Sequence, residues 1–385
     1  MAQYDVVIIG GGIHGVGVAQ AAAAAGHSVL VLEQSQLASG SSSRSSKLIH
    51  GGLRYLESAQ FSLVYECLHE RQRLLKLAPE LVRLEAFHIP VYAQTHRRPW
   101  QLRSGLSLYA LLGGLHRSSL FKQLGNAEWS QLDGLQQQDL QTVYRYYDGM
   151  SDDAALTRAV MNSAISLGAE LELPARFTAA SLEADRVSVR YLHGTEERDL
   201  EAQVLVNASG PWVNEVMQSI APAQTSPAID WVQGSHLVLD TKIQAGSYYL
   251  EADDGRAVFV LPWKGKTMLG TTETQYTGRP EAVSVLPQER DYLLAVLERY
   301  FPHLQGVPIL EEYAGLRVLP KAEGSHFSRP RDTRIIRSHP RLVSIYGGKL
   351  TTYRLTAEKL IRQLDDILET KKRITTTDRL MLTPI

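Results

Sequence analysis

The sequence predicts an α/β fold in which a parallel-sheet domain carries an inserted domain built on an antiparallel sheet. The β-branched run at residues 5–9 leads directly into a glycine motif, which is typical of a buried parallel strand followed by a helix. Residues 231–240, 256–263 and 266–273 alternate in the manner of antiparallel strands. The chain has 385 residues, of which 44% are hydrophobic, and this length and composition suit two domains.

The glycine motif at residues 10–15 reads GGGIHG and contains the GxGxxG spacing. The first of these glycines allows a tight turn, the second lets the backbone approach a pyrophosphate, and the third lets the helix pack on the strand. A predicted helix at 16–25 and a predicted strand at 28–32 are followed directly by Glu33, an acid placed to accept the ribose hydroxyls of an adenosine. This order predicts a Rossmann-like dinucleotide site, for NAD or FAD. The chain has no second GxGxxG, which argues against a reductase that uses both.

Composition excludes several classes of partner and location. The net charge of −1 gives no global basic field, so we predict no nucleic-acid partner. Cys67 is the only cysteine, which fits a reducing compartment, and its leucine-rich setting favours a packed side chain over a reactive thiol. We find no secretory signal and no apolar run of about 18 residues, and therefore predict a cytoplasmic protein without a spanning helix. No metal site is predicted.

The stretch 42–57, SSRSSKLIHGGLRYLE, gives the most specific signal. Its serine-rich beginning alone would be interpreted as a flexible linker, but it follows the ribose acid and precedes paired glycines that permit close approach to a flat ring. Together with GGGIHG and with YGGKLTTYR at 346–354, it resembles the FAD-dependent (aerobic-type) glycerol-3-phosphate dehydrogenase family of the D-amino-acid-oxidase-like (DAO) flavoprotein superfamily. The resemblance runs from about residue 4 to about residue 377.

The resemblance implies an FAD cofactor and hydride transfer from C2 of sn-glycerol 3-phosphate to flavin N5. It implies FAD contacts from Gly10, Gly12, Ile13, His14, Gly15, Glu33, Gln34, Ser42, Ser43, Ser46, Lys47, Leu48, His50, Gly51, Gly52, Ala208, Ser209, Gly210, Trp212, Gly270, Gly348, Lys349, Leu350, Thr351 and Thr352. The residues add a physical reason for the last group, because the positive end of a helix that begins there stabilises an anionic reduced flavin ring.

The substrate side of the site is implied in the same way. Contacts with the phosphorylated alcohol are expected from Arg54, Tyr55, His236, Arg317, Arg331 and Lys349, and catalytic roles from His50, Arg54, Arg317 and Lys349. Guanidinium groups suit this task because they bind oxyanions in a bidentate manner. His50 is either the general base or a hydrogen-bonded structural residue, and His236 either faces the substrate or is structural. The motif GTTE at 270–273 departs from the family, in which aspartate usually takes the last position.

The family resemblance implies a discontinuous FAD-binding domain of the GR2/DAO-like type. It would comprise residues 1–84, 148–224 and 325–385. The substrate domain would comprise 85–147 and 225–324, with part of it forming an antiparallel wall of a substrate chamber. Family members usually continue into a helical carboxyl-terminal domain, so dimerisation, membrane docking or substrate closure that depends on it is left open.

The sequence alone leaves four questions open. The electron acceptor is a quinone, a partner protein or oxygen, and the oligomeric state is not predicted. The segment 96–119 combines basic residues, a tryptophan and many leucines, which suits either a membrane-surface helix or a helix that buries its leucines; in the first case the protein would lie at the inner face of the cytoplasmic membrane. The alternative functions are oxidation of a 2-hydroxy acid and a non-catalytic flavin-binding sensor or electron-transfer subunit.

Overall fold

The structure of the chain, a computed structural model, describes residues 2–321 and 333–384. Its strands are β1 (Ala2–Ile9), β2 (Val29–Leu32), β3 (Leu48–Ile49), β4 (Val82–Tyr92), β5 (Lys122–Gln123), β6 (Leu140–Ser151), β7 (Glu170–Glu172), β8 (Ala175–Leu182), β9 (Val187–His193), β10 (Glu196–Asn207), β11 (Ile220–Ala221), β12 (Ile229–Leu239), β13 (Ser247–Glu251), β14 (Ala257–Trp263), β15 (Lys266–Gly270), β16 (Thr274–Tyr276), β17 (Ile309–Pro320), β18 (Thr333–His339) and β19 (Leu342–Gly347). Its α-helices are α1 (Ile13–Ala24), α2 (Phe61–Leu77), α3 (Pro99–Leu112), α4 (Asp153–Ser166), α5 (Val213–Gln218), α6 (Pro287–Tyr300) and α7 (Tyr353–Arg362).

The first sheet contains the predicted parallel strands at its centre. β1 pairs in parallel with β2 on one side and with β10 on the other, and the end of β10 pairs in parallel with β19. Ile9 lies opposite Asn207, and Asn207 lies opposite Ser344, so three of these strands finish at one edge. The carboxyl edge of such a sheet is where dinucleotides bind. β8, β9 and the first half of β10 extend the sheet as an antiparallel meander.

Helices α1, α4 and α7 cover one face of this sheet through an apolar core. α1 is buried almost all round, because alanines and glycines let neighbouring helices approach it closely. A Cβ on Gly17 would lie 2.8 Å from Cδ2 of Tyr353 in α7, which explains why a glycine stands at this contact. Six apolar residues of α7 and of the turns that follow it are buried at helical spacing: Tyr353, Ala357, Leu360, Ile361, Leu364 and Leu368.

The second sheet, which has the order β16-β12-β15-β14-β13-β4-β6-β3, forms the inserted domain, with β17 paired to β12 and β5 to β6. It is antiparallel except that β13 runs parallel to β4. One core lies between this sheet and α6, and another between the sheet and helices α2 and α3. β3 belongs to this sheet although the predicted domain ranges place residues 48–49 in the FAD-binding part, so the chain enters the second sheet directly after the serine-rich loop.

Two helices next to the second sheet have well-defined starts. Strand β6 ends at Ser151, and the next residue, Asp152, caps α4 with a carboxylate that accepts from the Ala155 amide. The helix expected in 96–119 is limited to α3, which buries Leu106, Tyr109 and Ala110. In the described ranges no helix has the length and apolar character needed to cross a bilayer.

Candidate functional site

A cavity of about 760 Å³ extends from the carboxyl edge of the first sheet to the face of the second. The strands that end at Ile9, Leu32 and Asn207 lead into loops that line this cavity on one side. Residues of β4, β6, β12, β13, β14 and β17 and the adjoining loops line it on the other. An elongated cavity between two domains is the usual place for a large cofactor with a small substrate beside it.

The glycine motif forms the turn between β1 and α1. Gly10 has a φ of +106°, and a Cβ added there would lie 2.7 Å from the carbonyl oxygen of Ala208 at the end of β10. A Cβ on Gly15 would lie 1.9 Å from the carbonyl oxygen of Gly10, so the first turn of α1 packs directly on the strand end. The helix has no side-chain cap and no acidic residue in its first turn. Its positive end therefore suits an anion such as a pyrophosphate.

Glu33 lies at the end of β2 with 8% of its surface exposed and lines the cavity. Its Oε2 accepts from the Gly11 amide at 2.7 Å, and its Oε1 accepts from the Ser35 amide at 2.9 Å. Oε1 accepts in addition from the Ser35 hydroxyl at 3.2 Å. These bonds orient the carboxylate, and Oε2 keeps a further lone pair that can accept a ribose hydroxyl.

The serine-rich loop is tied to the rest of the protein by its side chains. Ser42 Oγ accepts from the Ile13 amide at 2.9 Å, at the start of α1, and Ser41 Oγ donates to the Leu316 carbonyl at 2.7 Å. Lys47, which is buried, turns away from the cavity: its Nζ donates to Asp153 Oδ1 at 2.7 Å and to the Ser43 carbonyl at 2.5 Å. The expected contact between Lys47 and the cofactor is thus replaced by a buried ion pair that anchors the loop to α4.

The next residues, His50 to Tyr55, follow β3 along the cavity. The His50 amide donates to Thr351 Oγ1 at 3.2 Å, and the Gly51 amide donates to the Tyr109 hydroxyl at 2.9 Å. A Cβ on Gly51 would lie 2.4 Å from that hydroxyl. Gly51 is therefore a packing glycine behind the cavity wall, while His50 lines the cavity itself.

A buried ion pair supports this loop from below. Arg71, which is fully buried, donates to Asp148 Oδ1 at 2.6 Å, and the same carboxylate accepts from the Tyr109 hydroxyl and from the Gly51 amide. Burial raises the pKa of the Asp148 carboxyl, and the positive charge of Arg71 offsets only part of this rise. Three donors from three parts of the chain thus meet at one carboxylate beneath the loop.

Positively charged side chains gather at the end of the cavity next to the second sheet. Arg317 Nη1 lies 3.7 Å and Arg54 Nη2 lies 3.4 Å from Oε1 of Glu273, while Arg317 Nη2 donates to Thr271 Oγ1 at 3.2 Å. The space for Arg317 comes from Gly234, where a Cβ would lie 2.9 Å from its Nη2. All of these residues line the cavity. The arrangement is suited to an anionic ligand.

Lys349 completes the group of cations from the opposite side. Its Nζ lies 3.6 Å from the centroid of the Tyr55 ring and 3.7 Å from Cys67 Sγ. Burial raises the pKa of the Cys67 thiol, so this group stays protonated and behaves as the packed side chain that the sequence predicted. Lys349 follows Gly347 and Gly348, whose φ values of +73° and +77° make the sharp turn before α7.

His14 joins this turn to the start of α1. Its Nε2 lies 2.8 Å from the Gly347 carbonyl, and burial lowers the pKa of the ring, which is therefore neutral near pH 7. Because a carbonyl only accepts, Nε2 carries the proton and Nδ1 is an acceptor. Nδ1 is buried without a hydrogen-bond partner in the described part of the chain, and the residue lines the cavity. A hydroxyl of a bound ligand would satisfy this atom.

His236 is held in the second sheet, outside the cavity lining. Its ring stacks on Tyr313 with centroids 4.9 Å apart, and its Nε2 lies 2.9 Å from Ser46 Oγ. Burial, with the charges of Arg317 and Lys47, lowers its pKa well below the usual value, so the ring is neutral. The geometry favours the structural alternative for His236, with Ser46 between it and the cavity.

The buried carboxylate of Glu289 in α6 fixes the loop that carries Glu273. It accepts from Ser235 Oγ at 2.6 Å and from the Thr272 and Thr274 hydroxyls, each at 2.7 Å. Burial alone would raise its pKa, but these bonds outweigh burial and lower the pKa below its ordinary value. The bonds thus favour the ionised form in the folded state.

We expect Glu289→Gln to lower the free energy of unfolding by about 2–3 kcal/mol at pH 7, because the amide nitrogen would face donors that it cannot accept from. A carboxyl whose pKa is lowered by folding stabilises above its unfolded pKa and loses this effect as the pH falls through the folded value. The wild type and the variant should therefore differ less in their free energy of unfolding, measured with urea, below pH 4.5, which is the ordinary pKa of a glutamate. Glu298→Gln in the same helix is the control, and an equal loss there would contradict the prediction.

The structure brings most of the predicted residues to the cavity. Its lining includes Gly10, Gly12, Ile13, His14, Glu33, Gln34, Ser42, Ser46, Leu48, His50, Gly52, Arg54, Tyr55, Ala208, Ser209, Gly210, Trp212, Arg317, Gly348, Lys349, Leu350 and Thr351. Among the described residues, the predicted positions that do not line it are Gly15, Ser43, Lys47, Gly51, His236, Gly270 and Thr352. Gly270 packs on the His236 ring, and Thr352 is buried. Arg331 lies outside the described residues.

Other lining residues were missed by the sequence reasoning. Arg256 Nη1 donates to the Glu273 carbonyl at 3.2 Å, and Tyr249 and Phe259 form an aromatic wall from paired positions on β13 and β14. The alternation in β14 could have indicated which of its residues share a face, but not which face meets the cavity. No group of three or more His, Cys, Asp or Glu side chains that could hold a metal ion occurs within 2–321 and 333–384.

These features fit a flavin dinucleotide. The pyrophosphate has the start of α1, which carries no acidic residue in its first turn, the ribose has the Glu33 carboxylate, and the flavin end has the His14 acceptor and the glycine turn before α7. Arg54, Arg317 and Lys349 line the same cavity.

Comparisons with known proteins agree with this geometry. The family model described as "FAD dependent oxidoreductase" (DAO) matches residues 5–360. A glycerol-3-phosphate dehydrogenase of Pseudomonas aeruginosa is 39% identical over 377 residues, which cover 94% of this chain and 71% of the relative. A D-erythritol 1-phosphate dehydrogenase of Brucella abortus is 35% identical and is covered over 74% of its length by 94% of this chain. The crystal structure of a Bacillus halodurans glycerol-3-phosphate dehydrogenase complexed with FAD superposes with a TM-score of 0.79 at 26% identity, covering 99% of this chain and 68% of that one.

Proposed function

The chain belongs to the family of FAD-dependent oxidoreductases, and we propose that it oxidises sn-glycerol 3-phosphate to dihydroxyacetone phosphate. The observation that carries the choice of substrate is the grouping of three cations in the cavity: Arg54 and Arg317 both contact Glu273, and Arg54 and Lys349 both lie over the Tyr55 ring. A protein with a net charge of −1 needs such a local cluster to attract a doubly charged phosphate. Binding of FAD alone does not need it.

FAD would be held along the first sheet by residues already described. The amides at the start of α1 would bind the pyrophosphate, Glu33 would accept the ribose hydroxyls, and the glycine turn before α7 would border the flavin. When bound, FAD supplies a hydride acceptor for the alcohol carbon of the substrate.

The protein groups would bind the substrate and move its proton. Arg54, Arg317 and Lys349 would hold the phosphate through charge-assisted hydrogen bonds and so fix the position of C2. The proton of the C2 hydroxyl would pass to His50 or to a water beside it, since His50 lines the cavity and its backbone is fixed by Thr351. The aromatic wall of Tyr249 and Phe259 would exclude water from the reacting carbon.

A longer polyol phosphate is the second candidate substrate. The Brucella abortus relative is named a D-erythritol 1-phosphate dehydrogenase and is nearly as similar to this chain as the Pseudomonas aeruginosa relative. Both substrates combine one phosphate with a secondary alcohol, so the same cations serve either. A 2-hydroxy acid fits less well, because Glu273 stands among the cations.

The test is anaerobic mixing of the FAD-loaded protein with sn-glycerol 3-phosphate while the flavin absorbance is recorded. We expect prompt bleaching with sn-glycerol 3-phosphate, slower bleaching with D-erythritol 1-phosphate, and none with lactate or glycine. Faster bleaching with D-erythritol 1-phosphate would make it the first candidate substrate and sn-glycerol 3-phosphate the second. Bleaching by lactate alone would move the function to a 2-hydroxy-acid oxidase, and no bleaching by any compound would favour a flavin-binding sensor.

We further propose that the electrons pass to a membrane quinone. The support is the outer face of α3 and the loop after it, where Trp100, Leu111 and Leu115 are 68%, 61% and 60% exposed beside the exposed Arg103 and Arg117. On this proposal the protein works at the inner face of the cytoplasmic membrane. In the same experiment, the bleached protein should recover its absorbance faster with quinone-loaded anionic vesicles than with air. Equal rates of recovery would contradict the proposal that a membrane quinone is the acceptor, but not the proposed oxidation of sn-glycerol 3-phosphate.

A further inference from the structure

The side chain of Glu273 is directed into the cavity by its neighbours. The hydroxyls of Thr272 and Thr274 both donate to the buried Glu289 carboxylate. Glu273, the residue between these two threonines, is directed to the cavity instead: it lines the cavity, and its carboxylate contacts Arg54. The backbone carbonyl of Glu273 is held in addition by Arg256. A carboxylate is therefore built into the substrate end of the cavity.

This carboxylate contacts the two arginines that are proposed to hold the phosphate. Its Oε1 lies 3.4 Å from Arg54 and 3.7 Å from Arg317. Other buried ion pairs of the protein are much closer: Arg71 to Asp148 and Arg354 to Glu70 are both 2.6 Å. Charge-assisted pairs normally close to about 2.7–2.9 Å. The contacts of Glu273 with these arginines are therefore long, and they use only part of the five N–H groups that each guanidinium carries, so an anion can bind the arginines beside the carboxylate.

A negative charge at this place weakens the attraction of the site for any anion. An ionised carboxylate only accepts hydrogen bonds, and a hydroxyl of a phosphorylated polyol is a donor that matches it. A carboxylate on the ligand would instead meet a like charge in a partly dehydrated cavity. We infer that Glu273 determines substrate specificity: it accepts a hydrogen bond from the free hydroxyl of a phosphorylated polyol and rejects phosphorylated 2-hydroxy acids. The inference rests on the proposed function and extends it.

The test compares two ligands that differ at one carbon. Racemic 3-phosphoglycerate keeps the phosphate and the C2 hydroxyl of glycerol 3-phosphate but has a carboxylate at C1. With FAD-loaded protein, anaerobic flavin reduction gives the apparent Kd of glycerol 3-phosphate, and competition gives the Ki of 3-phosphoglycerate and of inorganic phosphate. In Glu273→Gln we expect the Kd to rise at least tenfold and the Ki of 3-phosphoglycerate to fall at least tenfold. The Ki of inorganic phosphate should fall by less than about threefold, because phosphate responds to the loss of the charge but has no carbon chain to contact residue 273.

Glu312→Gln is the matched control, since Glu312 is an exposed residue of β17 that pairs with Arg290 on the surface. Both constants should stay within about twofold of wild type in this variant. Glu273→Asp keeps the charge and introduces the residue that the family usually has here, so it should keep both the binding of glycerol 3-phosphate and the rejection of 3-phosphoglycerate. If the glutamine variant does not retain FAD, loss of that rejection in Glu273→Asp would overturn the inference.

Several results would overturn the inference. If Glu273→Gln tightened all three ligands alike, the residue would act only through its net charge. If it weakened all three alike, it would act only by positioning the arginines. Wild-type protein that is not bleached by glycerol 3-phosphate would instead refute the proposed function and the inference with it, whereas normal bleaching with unchanged discrimination in the variant would refute the inference alone.

Discussion

Arg317→Ala is expected to lower the kcat/KM for sn-glycerol 3-phosphate by about 10²–10³-fold while FAD binding is retained. Arg317 is partly buried, lines the cavity, and is oriented by hydrogen bonds to Thr271 Oγ1 and the Thr272 carbonyl. Loss of one charged partner from a desolvated, hydrogen-bonded pair costs about 2–5 kcal/mol, which is about 30- to 5,000-fold in rate and brackets the expected range. The effect should be smaller in Arg317→Lys, about 10–100-fold, because an ammonium keeps the charge but cannot bind a phosphate in a bidentate manner.

The measurement is steady-state turnover with a soluble acceptor dye, together with the flavin absorbance of each purified variant. Arg290→Ala is the control, since Arg290 forms a surface pair with Glu312 and has no part in the cavity lining found among the described residues. Turnover within threefold of wild type in Arg317→Ala would show that this guanidinium does not hold the substrate. Loss of FAD from the variant would place Arg317 in the structure of the cofactor site instead.

The local parts of the site could be predicted from the sequence because short-range chemistry fixes them. The order of strand, glycine turn, helix, strand and acid at 5–33 depends on residues that are neighbours in the chain, and the structure has the same order with α1 starting at Ile13 rather than at residue 16. The turn at Gly347 and Gly348 is also local, since both residues have positive φ. The family resemblance then gave the cofactor and the reaction, which the comparisons support.

The remaining features depend on pairs of residues that are far apart in the sequence. Lys47 has a φ of +60°, and its side chain meets Asp153 more than a hundred residues later, so its neighbours in the chain give no sign that it points inward. The antiparallel strands at 231–273 were found from their alternation, but alternation does not tell which face meets the cavity. Arg256 and the aromatic wall were missed for this reason, and His236 was placed near the substrate although Ser46 stands between it and the cavity.

The close contact between Gly15 and the end of β1 gives the strongest prediction for cofactor binding. Gly15 does not line the cavity, yet a Cβ there would lie 1.9 Å from the carbonyl oxygen of Gly10, which neither backbone can accommodate without movement. In Gly15→Ala the first turn of α1 must move away from the end of β1, and the amides that face the pyrophosphate move with it. We expect the Kd for FAD to rise at least 100-fold, measured by titration of the deflavinated protein, with purified protein that is nearly colourless.

Gly105→Ala is the control for any general effect of replacing a glycine by alanine. Gly105 lies within α3, and a Cβ there has no heavy atom within 4 Å. Because alanine favours a helix interior by about 1 kcal/mol over glycine, this control should keep its FAD and melt no earlier than wild type. FAD affinity within threefold of wild type in Gly15→Ala would mean that the helix start adjusts without loss of the anion site. Since the close contact is with a backbone oxygen rather than with a side chain that can rotate, we expect the opposite result.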